Sequence, residues 1–159
     1  ICFINTSGAY CGVEAEERGQ GEAIARNLLE ISQLTVPIIS IIIGEGGSGG
    51  AIALACGDQV WALENSIYSI LSPEGFASIL LKDPSKAQEV SEIMGITSYD
   101  LLKKGVIEKI IKEPIGGAQN DINFVANEIK ANLINEVKLL QNKTVRDLLN
   151  KRYLRYRDF

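Results

Sequence analysis

The stretch Gly44-Glu45-Gly46-Gly47-Ser48-Gly49-Gly50, GEGGSGG, stands between an apolar run, Val36-Pro37-Ile38-Ile39-Ser40-Ile41-Ile42-Ile43, and the small-residue segment Ala51-Ile52-Ala53-Leu54-Ala55. An apolar strand that runs into glycines and then into a helix is the unit from which α/β folds are built. Three chemistries fit the same seven residues. Gly44, Gly46 and Gly49 match the dinucleotide fingerprint G-x-G-x-x-G. Gly46, Ser48 and Gly50 match the nucleophile elbow G-x-S-x-G. The whole can also present bare backbone N–H groups at a helix start, a cradle for an oxyanion or a phosphate.

Composition separates the three. The 159 residues contain no histidine, so Ser48 lacks the usual activating base, and no Ser-x-x-Lys stands near the loop. Against the dinucleotide reading, only Ala51 to Cys56 separate Gly50 from the Gly57-Asp58 stop. A parallel crossover ordinarily uses a helix of about a dozen residues. Glu64, 20 residues after Gly44, is where a ribose-binding acid would stand. The oxyanion reading needs no side-chain chemistry, only glycines that let a reacting group approach the backbone. It is the reading that the loop supports best.

The rest of the chain is consistent with a soluble, largely parallel α/β domain spanning 1–159, with 120–159 as its helical C-terminal segment. Apolar residues make up 46% and charged residues 23%, and the net charge of −4 gives no basic field for nucleic acid. No run reaches the ~18 apolar residues of a membrane span. Cys2, Cys11 and Cys56 are odd in number and lack C-x-x-C spacing, so neither a disulfide scaffold nor a zinc site is expected, and a reducing compartment is. Ile1-Cys2-Phe3-Ile4-Asn5 reads as a strand already under way without an initiator Met, as in a truncated or processed chain.

Periodicity predicts a helix from about Glu14 to Leu34, with Ile24, Leu28, Ile31 and Leu34 on one face. Strand-like sequence follows over 59–71, interrupted by a turn at Glu64-Asn65. Ser72-Pro73 predicts a helix start. Short helices are expected over 85–94 and 98–104, a strand over 106–111, and a long amphipathic helix marked by Ile122, Val125, Ile129, Leu133, Val137 and Leu140. The tail is basic (Lys143, Arg146, Lys151, Arg152, Arg155, Arg157), with Tyr153, Tyr156 and Phe159 interleaved. It reads as a solvated helix with Leu148, Leu149 and Tyr153 packed inward, the alternative being contact with coenzyme A phosphates or an acidic partner. Glu16, Glu17 and Arg18 read as an exposed ion-pair network, and Cys11 as a small loop residue.

Gly8-Ala9-Tyr10, Ala15-Glu16-Glu17-Arg18-Gly19-Gln20, Gly44 to Gly50, Leu71-Ser72-Pro73-Glu74-Gly75 and Glu113-Pro114-Ile115-Gly116-Gly117-Ala118 occur in one order. In this the chain closely resembles the α-subunit family of bacterial and plastid acetyl-CoA carboxylase carboxyltransferases, through to Asn150-Lys151-Arg152-Tyr153. Cys11 and Gln119 depart from many members, which have Pro and His there. The resemblance implies a crotonase-like fold, a spiral of ββα units with C-terminal helices. It implies biotin, presented as carboxybiotin on a carrier protein, and no metal in this chain. It also implies a zinc-ribbon β subunit that binds acetyl-CoA, malonyl-CoA as product in fatty-acid synthesis, an α2β2 assembly, and residence in the bacterial cytoplasm or the plastid stroma. Carried onto this sequence, the N–H groups of Gly49 and Gly50 would form the oxyanion hole. Gly46, Gly47 and Ser48 would shape the loop. Tyr10, Tyr68 and Glu74 are further candidates to border the substrate, the alternatives being core tyrosines and, for Glu74, an acid that stabilises the start of its helix. A hydratase or isomerase of the same fold, and a dinucleotide-binding domain, remain as competitors.

Overall fold

The computed structural model describes residues 1–158; Phe159 of the basic tail lies outside the described residues. Five strands form one parallel sheet: β1 (Cys2–Thr6), β2 (Ile39–Gly47), β3 (Gln59–Leu63), β4 (Ile67–Ser69) and β5 (Lys109–Ile111). The order is β1-β2-β3-β5, and β4 pairs with β2 beyond the end of β3.

The apolar run at 36–43 becomes β2 because both of its faces are covered. Ile39 and Ile41 pack with Trp61, Leu63 and Ile111 on one face, whereas Ile42 packs with Ile4, Val60 and Ala62 on the other. A strand buried on both sides reads as a continuous apolar run, as this one does. The first face is closed by α7 (Ile122–Gln141) through Val125 and Leu140, and by Leu148 of α8 (Val145–Arg157). The second is closed by α3 (Ser48–Ile52) through Ala51, and by Leu101 of α6 (Ser98–Lys103).

The β2–β3 connection is shorter than the sequence reading required. Pairing runs Ile39↔Gln59 to Ile42↔Ala62, so the chain climbs β2 to Gly47 and must return to the level of Ile39. That climb is about 26 Å at ~3.3 Å per residue. Five helical residues at ~1.5 Å and the six residues 53–58 at up to ~3.4 Å make the return. A short helix, one further turn at Ala53 to Ala55 and a bend at Gly57-Asp58 stand in for the long helix. The length argument against a nucleotide-binding unit therefore does not hold, although the helix is as short as the sequence indicated.

The segment 59–71 is one interrupted strand rather than two independent ones. Ile39 pairs with Gln59, an offset of 20, and Glu45 pairs with Ile67, an offset of 22, so two extra residues bulge out between them. Ser66 fills the bulge and donates to the Ile42 carbonyl at 3.0 Å. The expected 14–34 helix is broken: α1 (Val13–Glu17) and α2 (Gln20–Gln33) meet at Gly19, whose φ of +78° an L side chain adopts with strain. Leu34, expected inward, is exposed, while Ile31 is buried. The expected strand over 106–111 shortens to β5, and Glu16, Glu17 and Arg18 form no ion pair among the described residues.

After β4 come α4 (Pro73–Leu81), a 3-10 turn (Pro84–Lys86) and α5 (Ala87–Met94), which pack chiefly on one another. Ser72 Oγ accepts from Gly75 N at 3.1 Å and Pro73 opens the helix, the start that the sequence announced.

Candidate active site

The glycine loop sits where β2 ends and α3 begins. The helix starts three residues earlier than expected, at Ser48 rather than Ala51, with Gly47 as its extended N-cap. Ser48 itself has φ +49°, a left-handed conformation unusual for a residue with a Cβ. The strand-to-helix turn is therefore sharp at Ser48.

The glycines do different things. A Cβ on Gly47 would lie 2.1 Å from the Ser7 carbonyl oxygen, and one on Gly50 would lie 2.9 Å from Ala9 N and from Gly8 C. At both positions the group that approaches the backbone is the chain's own loop after β1. A Cβ on Gly46 would meet the Tyr68 ring at 3.0 Å, and one on Gly44 would meet Asn5 Oδ1 at 2.7 Å. Asn5 Oδ1 accepts from Glu45 N at 3.0 Å and ties the bulge of β2 to β1. Only Gly49 is open: its nearest neighbour would be Ile24 Cδ1 at 3.8 Å. Backbone packing, more than access for a ligand, explains most of the glycines.

A small cleft of about 80 Å³ lies against this loop, lined by Ser7, Glu45, Gly46, Gly47, Ser48 and Pro73, among others. It brings together three of the candidate residues, Gly46, Gly47 and Ser48. Gly50 instead lines a separate recess between α2 and α3. Tyr68 is half-buried and pairs with Gly46 across β4 and β2, and burial pushes its hydroxyl pKa up. Tyr10 is exposed, its ring lying over Gly12. Glu74 is exposed in the first turn of α4 and does not line the cleft.

The acid that does line the cleft is Glu45, which the sequence reading passed over. Alternation does not find it, because β2 shifts register between Ile42 and Gly46 and Ile43, two residues back, lines a different recess. Glu64, the proposed ribose acid, is committed elsewhere. Its carboxylate accepts from Lys112 Nζ at 2.7 Å, from the Tyr99 hydroxyl and from Glu113 N, which together hold its pKa down at about 2. Nor is the basic tail free. Arg152 is buried against Asp58, Arg155 pairs with Glu108, and Tyr153, expected inward, is 61% exposed. No group of His, Cys, Asp and Glu able to hold a metal, and no helix long and apolar enough to cross a membrane, occurs among the described residues.

A parallel sheet with a glycine loop at the C-terminal end of its central strand, a short helix behind it and C-terminal helices on the far face defines the crotonase-like class of carboxyltransferase folds. Among solved structures the chain is similar to a chain of a Pseudomonas malonate decarboxylase hetero-tetramer in complex with coenzyme A. There the TM-score is 0.70 at 14% identity, over 95% of this chain and 59% of that one. The chain belongs to the acetyl co-enzyme A carboxylase carboxyltransferase-like family, whose model matches residues 1–159. It is 60% identical over 157 residues to the acetyl-coenzyme A carboxylase carboxyl transferase subunit alpha of Clostridium acetobutylicum, covering 99% of this chain and 57% of that protein. It is 57% identical over 157 residues to the subunits beta/alpha chain of Clostridium tetani, covering 99% of this chain and 27% of that protein. The chain thus spans a little over half the length of the α-subunit relative and about a quarter of the β/α chain.

Proposed function

We propose that this chain is the α part of an acetyl-CoA carboxylase carboxyltransferase. It would receive the carboxyl group from carboxybiotin on a biotin carboxyl carrier protein and, with a β subunit, deliver it to acetyl-CoA to give malonyl-CoA. The observation that carries the reading is the family match over residues 1–159. The loop geometry supports it in part: Gly46, Gly47 and Ser48 border a cleft and Gly49 has no neighbour pressed on it, whereas Gly50 lines the recess between α2 and α3. Bound there, carboxybiotin supplies the carboxyl group. The part of this chain is to hold the ureido oxygen by the N–H groups of Gly49 and Gly50, while Tyr68 backs the loop at Gly46. Such donors are worth roughly 3–4 kcal/mol each in a water-poor site. Transfer of this kind needs no histidine, and the chain has none.

The β subunit enters from the beta/alpha relative, in which both parts share one chain. This reading places it over the α4–α5 hairpin, whose Ile79, Leu80 and Ile93 are exposed beside the cleft-lining Pro73. The assembly is α2β2, working in the bacterial cytoplasm, or in the plastid stroma in a plant or alga.

The test is carboxyl transfer from malonyl-CoA to biocytin with this chain alone, the β subunit alone, and both. Activity only in the mixture, lost in Gly49→Val while folding and association persist, is expected. Gly50→Val is not a fair test, because its side chain would collide with Gly8 and Ala9. A mixture that associates but transfers nothing sinks the role of the loop.

A further inference from the structure

On the α3 side of the sheet, between α8, α2 and β4, lies a cavity of about 520 Å³. This volume falls in the range that takes a small organic ligand. Its wall is apolar, from Leu28, Ile52, Val60, Tyr68, Val106 and Leu149, and it exists because Ala55 and Cys56 are small where larger side chains would fill it. Two of the polar groups of the wall are already engaged. Tyr156 donates to the Ala55 and Gly57 carbonyls at 2.7 and 2.9 Å, and Ser32 donates to the Leu29 carbonyl at 2.7 Å. With most of the lining apolar and these groups engaged, the cavity favours a ligand that is apolar along most of the part that enters.

The rim has a sign. Three arginines, Arg152, Arg155 and Arg157, belong to the lining, and no carboxylate does. Arg152 is sealed by Asp58 and by backbone carbonyls, and Arg155 by Glu108 and the Val106 carbonyl. Arg157 is exposed, stacks on the Tyr153 ring at 5.9 Å and makes no ion pair among the described residues, so it is the cation able to turn to a ligand.

We propose that this cavity binds a medium-chain acyl anion, its hydrocarbon chain inside and its charged end at Arg157. The site is distinct from the glycine-loop cleft but touches it through one residue. Tyr68 lines the cavity with one part of its ring and backs Gly46 with another. Occupancy therefore reaches the loop through Tyr68. The proposal does not depend on the carboxyl-transfer reading.

The test is a calorimetric titration of the purified chain with dodecanoate below its micelle concentration, alongside amide spectra. One-to-one saturable binding is expected, with shifts at Gly46. Leu149→Trp, which fills the cavity from α8, should weaken binding at least tenfold. Arg157→Gln should weaken dodecanoate about threefold to fivefold, the range of an exposed ion pair, and leave the neutral probe dodecanol unchanged. Should Leu149→Trp fail to fold, Ile52→Phe fills the same space from α3. Absence of saturable binding, full binding by a filled variant that melts as the parent does, or equal loss of dodecanoate and dodecanol in Arg157→Gln overturns the proposal.

Discussion

Arg152 holds both carboxylate oxygens of Asp58, Nε to Oδ1 and Nη2 to Oδ2, each at 2.9 Å, and both residues are buried. The remaining guanidinium hydrogens go to the carbonyls of Ile31, Ser32, Leu34 and Val36, and Asp58 Oδ2 also accepts from Ile38 N at 2.7 Å. One side chain of α8 thus fastens the end of α2 and the starts of β2 and β3. Arg152→Met would strand a buried carboxylate and should cost about 3–5 kcal/mol, read by urea denaturation. Arg152→Lys should recover little, because an ammonium cannot reproduce the forked contact. Adding Asp58→Asn to Arg152→Met should return part of the loss. A single variant within about 1 kcal/mol of the parent would show that the pair is not a fastening.

The glycine loop makes a steric prediction. Gly47→Ala puts a methyl group 2.1 Å from a backbone oxygen that cannot rotate away, whereas Gly49→Ala meets only Ile24 at an ordinary 3.8 Å. Gly47→Ala should lose about 3 kcal/mol or more, at or beyond the upper end of overpacking. Gly49→Ala should fold within about 1 kcal/mol of the parent and keep its N–H. Equal melting shifts for the two would contradict the loop packing described here.

How far the sequence carries can be seen in the same residues. The strand at 36–43 and its glycines were legible because apolar runs and glycines are local signals. The roles of individual glycines were not, since what presses on Gly47 and Gly50 comes from Ser7 to Ala9, about 40 residues away in the chain. Likewise β3 and β4 are one interrupted strand only by virtue of β2, on which both lie. Arg152 looked solvated amid a basic run because its partner Asp58 is 94 residues off. Periodicity reports faces, not long-range partners. The break at Gly19 was closer to readable: a glycine inside a helical pattern is a local warning, and the apolar stripe from Ile24 begins only after it.

Glu64 predicts a pH dependence. Lys112, Tyr99 and Glu113 N hold its carboxyl at about 2, below the usual 4.5. A carboxyl depressed on folding stabilises the protein fully above its unfolded value and loses that contribution as pH falls toward the folded one. The stability gap between parent and Glu64→Gln should be constant from pH 7 to about 5, then shrink toward pH 2. A gap that stays flat down to pH 2, or a carboxyl carbon resonance titrating near 4.5, would refute the network.

Ser48 separates strain from chemistry. At φ +49° a residue with a Cβ carries roughly 1–2 kcal/mol of backbone strain, partly offset by the greater freedom that glycine has when unfolded. Ser48→Gly should therefore be neutral or stabilising by up to about 1 kcal/mol, while Ser48→Val should destabilise. Ser48→Ala, with the β subunit present, should transfer carboxyl groups within about threefold of the parent. A loss of 10²-fold or more would return Ser48 to consideration as a reacting group.

Glu45 discriminates between the enzymes that this fold could house. It is the acid lining the cleft, whereas Glu74, exposed like Glu45, does not line it. A hydratase or isomerase built on this loop would use a carboxylate to move a proton, and its removal would cost about 10²–10⁴-fold. In carboxyl transfer the proton can go to the released ureido nitrogen, so no side-chain base is required. Glu45→Gln should then keep malonyl-CoA-dependent carboxylation of biocytin within about fivefold of the parent, with any change falling on KM rather than kcat. A kcat lowered 10²-fold or more in a variant that still folds and associates with the β subunit would make Glu45 a proton-transfer group and put the site in the competing class.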